Sequence, residues 1–290
     1  MCGYNKVDEK YLKIIEIVLS SLKGIDIDIS CMNNILNIVE FNIGKDIKID
    51  EKDKKKVGNF YIEPVIKNDN TIVYNKGYLN IQEDEMSQII FAHELMHLLA
   101  TKDLIQEDDK YVVKKGMQKF NLRIKNNEIM IITPTDEIVK NVAIDEAMTE
   151  FTRINITNKE FSDVKSNRYT MLYFVIDIIL KLLYRDEYRK MGFKIYFENP
   201  NILYNSLIKY NIKTEELKNL FTKMLSSLNQ GLLSIVCAIC VAEDVLPFID
   251  KLVDEVILKD NLTKKYLYDL IDIKNEEDLI NKIYYDLLIG

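Results

Sequence analysis

The chain has 290 residues, of which 48% are hydrophobic and 29% charged, so it can bury a large core in one domain or two modest ones and has no segment that reads as disordered. A formal net charge of −7 disfavours nucleic-acid binding, which needs clustered Lys and Arg against phosphates. The run EKDKKK at 51–56 is the local exception and reads as a solvated loop.

The start, MCGYNKVDEKYLKIIEIVLS, lacks the continuous apolar stretch and small-residue cleavage site of a secretory signal, and the expected location is cytoplasmic. Apolar residues at helical spacing predict two helices over the first forty residues, with a break near Gly24. From 59 to 82, NFYIEPVIKN and TIVYNKGYLNI are rich in β-branched and aromatic residues and flank the turn-forming NDN, predicting a small sheet with a hairpin around Asn75–Gly77.

A helix follows, opening at Gln82–Glu85 and running through MSQIIFAHELMHLLA, with Met86, Ile89, Ile90, His93, His97 and Ala100 on one face. Then come a polar loop near 102–110 and two strands, about 112–124 and 128–133, joined at KNNE. Pro134 ends the second strand, and a helix is expected over 136–153 with Thr135 as its cap. The remainder, 165–290, is predicted all-helical, with Gly192, Gly231, Gly290, Pro200 and Pro247 as breakers, and no internal repeat is visible. Its longest apolar run, GLLSIVCAICVA at 231–242, is too short to cross a bilayer and reads as a core helix. Within it Cys237 and Cys240 read as core cysteines, and Cys2 and Cys31 stand apart; few cysteines without a framework fit a reducing compartment.

The chain's only two histidines are His93 and His97, and Glu94 follows the first. On a helix, positions i and i+4 differ by about 40° around the axis, so both imidazoles can reach one metal ion. Glu94 lies about 100° from His93 and about 60° from His97, placed to reach a water on that ion rather than the ion itself, as a general base requires. Random placement of two histidines gives this spacing roughly once in 150 trials, and the following glutamate lowers the odds to about 1 in 2,000. Two satisfied core histidines would account for the apolar face but not for the glutamate.

A catalytic zinc has three protein ligands and a water, so the third ligand must be a carboxylate or a cysteine outside this helix. LLATKDLIQ after His97 excludes the pattern with a third histidine shortly downstream. Glu146 in NVAIDEAMTEF is the best candidate, because Val139, Val142, Ala143, Glu146 and Glu150 share a helical face with small or apolar neighbours. Glu150 could accept the Nδ1–H of a ligating histidine. Asp145, about 100° from that face, is the competing ligand, and a semi-exposed helix with Glu146 paired to Lys or to Arg153 is the plainer alternative.

HELMH at 93–97 and DEAMTE at 145–150 together resemble the gluzincin zinc metallopeptidases, of which the thermolysin-like members carry HExxH on one helix and a glutamate ligand on a later one. The resemblance implies one Zn2+ held by His93, His97 and Glu146, Glu94 as base and proton shuttle, and a peptide or protein substrate. It also implies an N-terminal α/β part and a helical C-terminal part with zinc in the cleft between them, and the order of predicted elements gives the same α+β layout independently: N-terminal helices, a small mostly antiparallel sheet and the HExxH helix over 1–160, then an all-helical part over 161–290. Glu150 stands where the family usually has an aspartate, and the stretch between the two motifs is long. With no histidine left to stabilise the oxyanion, Tyr169 is the candidate, with Arg168 and Tyr173 beside it. The strand holding Gly77–Ile81 is expected to offer an edge to an extended substrate. A selective protease similar to the clostridial neurotoxin light chains would instead use Arg185 and Tyr188, and a zinc-stabilised binding protein without catalysis is the alternative from another class. Neither nucleic acid nor a membrane is an expected partner.

Overall fold

A computed structural model describes residues 7–45, 47, 58–102, 104–157, 169–229, 235–273, 277–278 and 281. Among the described residues the fold is mixed, 60% helical and 21% strand. The chain divides into two compact units, 1–138 with 152–162, and 139–151 with 163–290. Among the described residues no helix is long and apolar enough to cross a membrane.

The first unit opens with α1 (Glu9–Gly24), whose Tyr11, Ile14, Ile15, Val18 and Leu22 form one buried stripe. It runs through Gly24 and stops where Asp26 turns left-handed at φ 62°, with the Ile27 amide donating back to the Leu22 carbonyl. The short helix α2 (Ser30–Ile38) leads directly into β1 (Val39–Gly44). With β2 (Gly58–Ile66) and β3 (Ile72–Gln82) this strand forms a three-stranded sheet in the order β1-β3-β2, β1 parallel and β2 antiparallel to β3.

Two expectations are corrected here. The hairpin turn lies at Lys67–Thr71, where Asp69 Oδ1 accepts from the Thr71 amide and hydroxyl and Asn70 takes φ 63°. Asn75–Gly77 is inside β3, and the register slips past Asn75 opposite Pro64, which has no N–H to pair. The strand holding Gly77–Ile81 is also not an edge, because β1 and β2 occupy both its sides.

The two faces of this sheet differ in kind. Phe60, Leu79, Ile81 and Val39 are buried on one. On the other, Asn42 donates to Asn80 and Asn80 to Asn59, while Tyr61 stacks on Tyr78 at 4.9 Å.

Helix α3 (Ser87–Leu99) begins after Asp84, whose side chain accepts from the Met86 amide at 2.8 Å. It is seated by Tyr11, which hydrogen-bonds Ser87 and packs its ring on Phe91 at 4.8 Å. Met86, Ile89 and Ile90 are only half-buried; the deepest burial is at Phe91, Ala92, Leu95, Met96 and Leu98, so from 91 onward the helix is enclosed almost all round.

Beyond α3 the chain forms an antiparallel meander, β4 (Ile105–Glu107), β5 (Lys110–Lys115), β6 (Gln118–Lys125) and β7 (Glu128–Ile131). The single strand expected over 112–124 is two strands, folded back at Gly116 with φ 54°, and the polar loop contains β4. The turn at KNNE is present, with Asn126 and Asn127 both left-handed. Ile72, Tyr111, Val113 and Leu122 form the core of this sheet.

Helix α4 (Thr135–Ile156) starts with Pro134 at the N-cap position and Thr135 already helical, so Thr135 is not the cap. Its middle, 139–151, belongs to the second unit. Val139 is half exposed, whereas Ala143, Ile144, Asp145, Ala147, Met148, Thr149, Glu150 and Phe151 are fully buried.

The rest of the second unit consists of α5 (Thr170–Tyr184), a 3-10 turn at Arg185–Glu187, α6 (Tyr188–Phe197), α7 (Asn201–Lys209), α8 (Thr214–Asn229), α9 (Ile235–Asp260) and α10 (Lys264–Leu270). Gly192 and Pro247, expected as breakers, lie inside α6 and α9. The chain turns instead at left-handed Arg185, Asn211, Asn261 and Asp272. Gly192 serves packing: a Cβ there would lie 2.3 Å from Cε1 of Phe151, so its absence lets α6 approach α4 closely. Asp260, at the end of α9, accepts from Arg185 and, at 2.7 Å, from Tyr210. The run at 51–56, Cys2, Arg168 and the side chains of Cys31, Cys237 and Cys240 lie outside the described residues.

Candidate metal centre

His93 and His97 are 7% and 5% exposed, and their Nε2 atoms face each other at 3.2 Å with the rings at 75°. A tetrahedral zinc with Zn–N bonds near 2.05 Å needs its two nitrogens about 3.3 Å apart, so the imidazole pair has the separation that one ion would impose. Both rings present Nε2, which requires the proton on Nδ1 in each neutral ring that ligates. The turn carrying His97 is closed by Thr101, whose hydroxyl donates to the His97 carbonyl at 3.1 Å.

Glu146 completes the group: one ligand atom from each of His93, His97 and Glu146 lies within 4.8 Å of the others, so the three side chains could hold a metal ion. Glu146 is half-buried and its Oε2 is shielded from solvent. Two neutral imidazoles and one carboxylate suit a borderline cation such as Zn2+ and leave a fourth position for another ligand.

Asp145 and Glu150 are not members of this group, although both are fully buried. Burial pushes the phenol of Tyr204 in α7 well above its ordinary pKa, and the nearby charge of Asp145 adds to this. Thr149, between the two glutamates, donates to the Asp145 carbonyl at 2.7 Å and meets the Tyr196 hydroxyl of α6 at 2.6 Å. The hydroxyl of Thr149 is thereby used as a donor, so Tyr196 is the donor of that second bond.

Glu94 is half-buried and directly follows His93 in sequence, and a Cβ built at Gly58 would lie 3.3 Å from its Cγ. Tyr169 occupies the N-cap position of α5, half-buried, and Tyr173 stands one turn further, its amide donating to the Tyr169 carbonyl. Arg185 donates to Asp260, and Tyr188 packs edge-on against Phe151 with its centroid 6.2 Å away. The approach of Gly58 to Glu94 and the Thr149–Tyr196 bond are not legible in the sequence, since a glycine opening a strand and a tyrosine among 17 carry no motif. Comparison with protein-family models, curated proteins and solved structures finds no match.

Proposed function

We propose that the protein is a zinc metallopeptidase of gluzincin type, acting on a peptide or protein substrate. The observation that carries this reading is the His93–His97–Glu146 group together with a glutamate directly after its first histidine on the same helix. Zinc bound there would polarise a scissile carbonyl and make a water acidic enough to attack it. His93 and His97 would hold the ion through Nε2 as neutral rings, and Glu146 would supply the single negative charge among the three ligands. Glu94, too far round the helix to share the ligand face, takes the proton of the attacking water and delivers it to the leaving amine. Tyr169 donates a hydrogen bond to the oxyanion, and Glu150 accepts from a histidine Nδ1–H.

With β3 central in its sheet, β1 and β2 are the edge strands, and β2, whose first residue Gly58 has Glu94 Cγ 3.3 Å from where a Cβ would stand, is the one proposed for backbone pairing with an extended substrate. The reading with Arg185 and Tyr188 at the oxyanion is less favoured, since Arg185 is drawn to Asp260.

The test is Glu94→Gln in the zinc-loaded protein, assayed by mass spectrometry on a proteome-derived peptide mixture. One zinc per chain with turnover reduced at least a thousandfold is the expected outcome. Unchanged turnover would remove Glu94 from the base role, and a zinc-loaded wild type that binds peptides but cuts none would favour the non-catalytic alternative.

A further inference from the structure

Gly58 is the first residue of β2, buried, and paired with Ile81 of β3. Its φ is not among the positive values, so its backbone is one that any residue adopts, and conformational freedom is not why a glycine stands there. Space is the reason. A Cβ at this position would lie 2.4 Å from Cγ2 of Ile90, 3.1 Å from Cδ1 of Ile81 and 3.3 Å from Cγ of Glu94. Ile90 and Glu94 are one turn apart on α3, on the side turned to β2, so the strand's backbone lies directly on the turn that carries Glu94.

We propose that Gly58 is a positioning residue for Glu94: its missing side chain lets the β2 backbone close one side of the glutamate's Cγ and so limits where the carboxylate can go. The inference rests on the peptidase reading through Glu94 alone. A glutamate on a half-buried helix face samples several rotamers, and a strand backbone passing close to Cγ removes some of them. Any side chain at 58 would occupy that space and push Cγ by a few tenths of an ångström. Since 1 Å of misplacement can cost about a hundredfold, a displacement of that size is expected to cost about fivefold.

The plain Gly58→Ala variant risks misfolding on the Ile90 contact, so the test is made in an Ile90→Ala background, which removes that atom. Ile90→Ala, Gly58→Ala/Ile90→Ala and Glu94→Gln/Ile90→Ala are each loaded with Co2+, and the pH midpoint of the cobalt visible band is read beside cobalt content and thermal midpoint. Adding the methyl should leave one cobalt per chain and an unchanged thermal midpoint, and should shift the pH midpoint in the direction that Glu94→Gln shifts it. An identical midpoint with and without the methyl overturns the inference about Gly58. If Glu94→Gln leaves the midpoint unmoved, or the Ile90→Ala protein takes up no cobalt, the reading of the site fails first and takes the inference with it.

Discussion

Glu146→Gln tests the metal centre most directly, because it removes one negative charge while keeping the volume of a half-buried side chain. Zinc held at a free concentration a hundredfold above its Kd stabilises the wild type by about 2.7 kcal/mol through mass action. For a chain of this size that is worth about 4 °C in thermal midpoint. The ligand atoms of the three residues lie within 4.8 Å of one another, so the carboxylate is the only anion among them at short range. Losing an outer-shell partner of a metal ligand typically costs about 10–100-fold in affinity, so losing an anionic ligand itself is expected to cost about a hundredfold or more in Kd. At the same free zinc, the variant would then sit near its own Kd and keep about 0.4 kcal/mol of stabilisation, a shift of no more than about 1 °C. The assay is a pair of thermal melts, with and without buffered zinc, on each protein. A variant that keeps the full zinc shift, or a wild type that shows none, would refute the three-ligand assignment.

Two further predictions concern the second unit. Gly192→Ala places a methyl 2.3, 2.9 and 3.1 Å from three ring carbons of Phe151, an overpacking of about 3 kcal/mol that the better helix propensity of alanine offsets by about 1. The thermal midpoint should fall by about 3 °C, Phe151→Leu in the same chain should recover part of the loss, and a variant as stable as the wild type would disprove the close approach of α6 to α4. Burial pushes the Asp260 carboxyl upward, but hydrogen bonds from Tyr210 and Arg185 outweigh it and hold the group below the ordinary aspartate range. A carboxyl that is more acidic when folded contributes stability above its unfolded value near 3.9 and loses that contribution as pH falls through the lower folded value. Urea midpoints should therefore drop between pH 5 and pH 3 more steeply in the wild type than in Asp260→Asn, and parallel profiles would show that the carboxylate carries no such linkage.

Much of the fold is legible in the sequence because helix and strand periodicity are local. Tyr11, Ile14, Ile15, Val18 and Leu22 announce α1, and the β-branched runs announce β2 and β3. The misplaced features share a cause. Asn75–Gly77 looks like a turn, yet the chain uses Lys67–Thr71 for that purpose and spends Asn75 on a bulge opposite Pro64. Gly192 reads as a break, yet α6 runs straight through it because the glycine answers to Phe151, 41 residues earlier in the chain. Where the chain does reverse direction, Asp26, Asn211 and Asn261 take the left-handed positions that glycine more often holds, so the usual signal is absent.

The candidate site divides in the same way. That His93 and His97 face one point follows from four residues on one helix, a geometry that needs no knowledge of the rest of the molecule. Which carboxylate joins them is not fixed by the motif: Asp145 and Glu146 are neighbours on α4, yet Glu146 is the one grouped with the histidines and Asp145 the one near Tyr204. The same holds for Gly58, which meets Ile90 and Glu94 only because β2 lies against α3. Contacts within one turn are set by the covalent geometry of the chain, whereas contacts across tens of residues are chosen by burial of the whole.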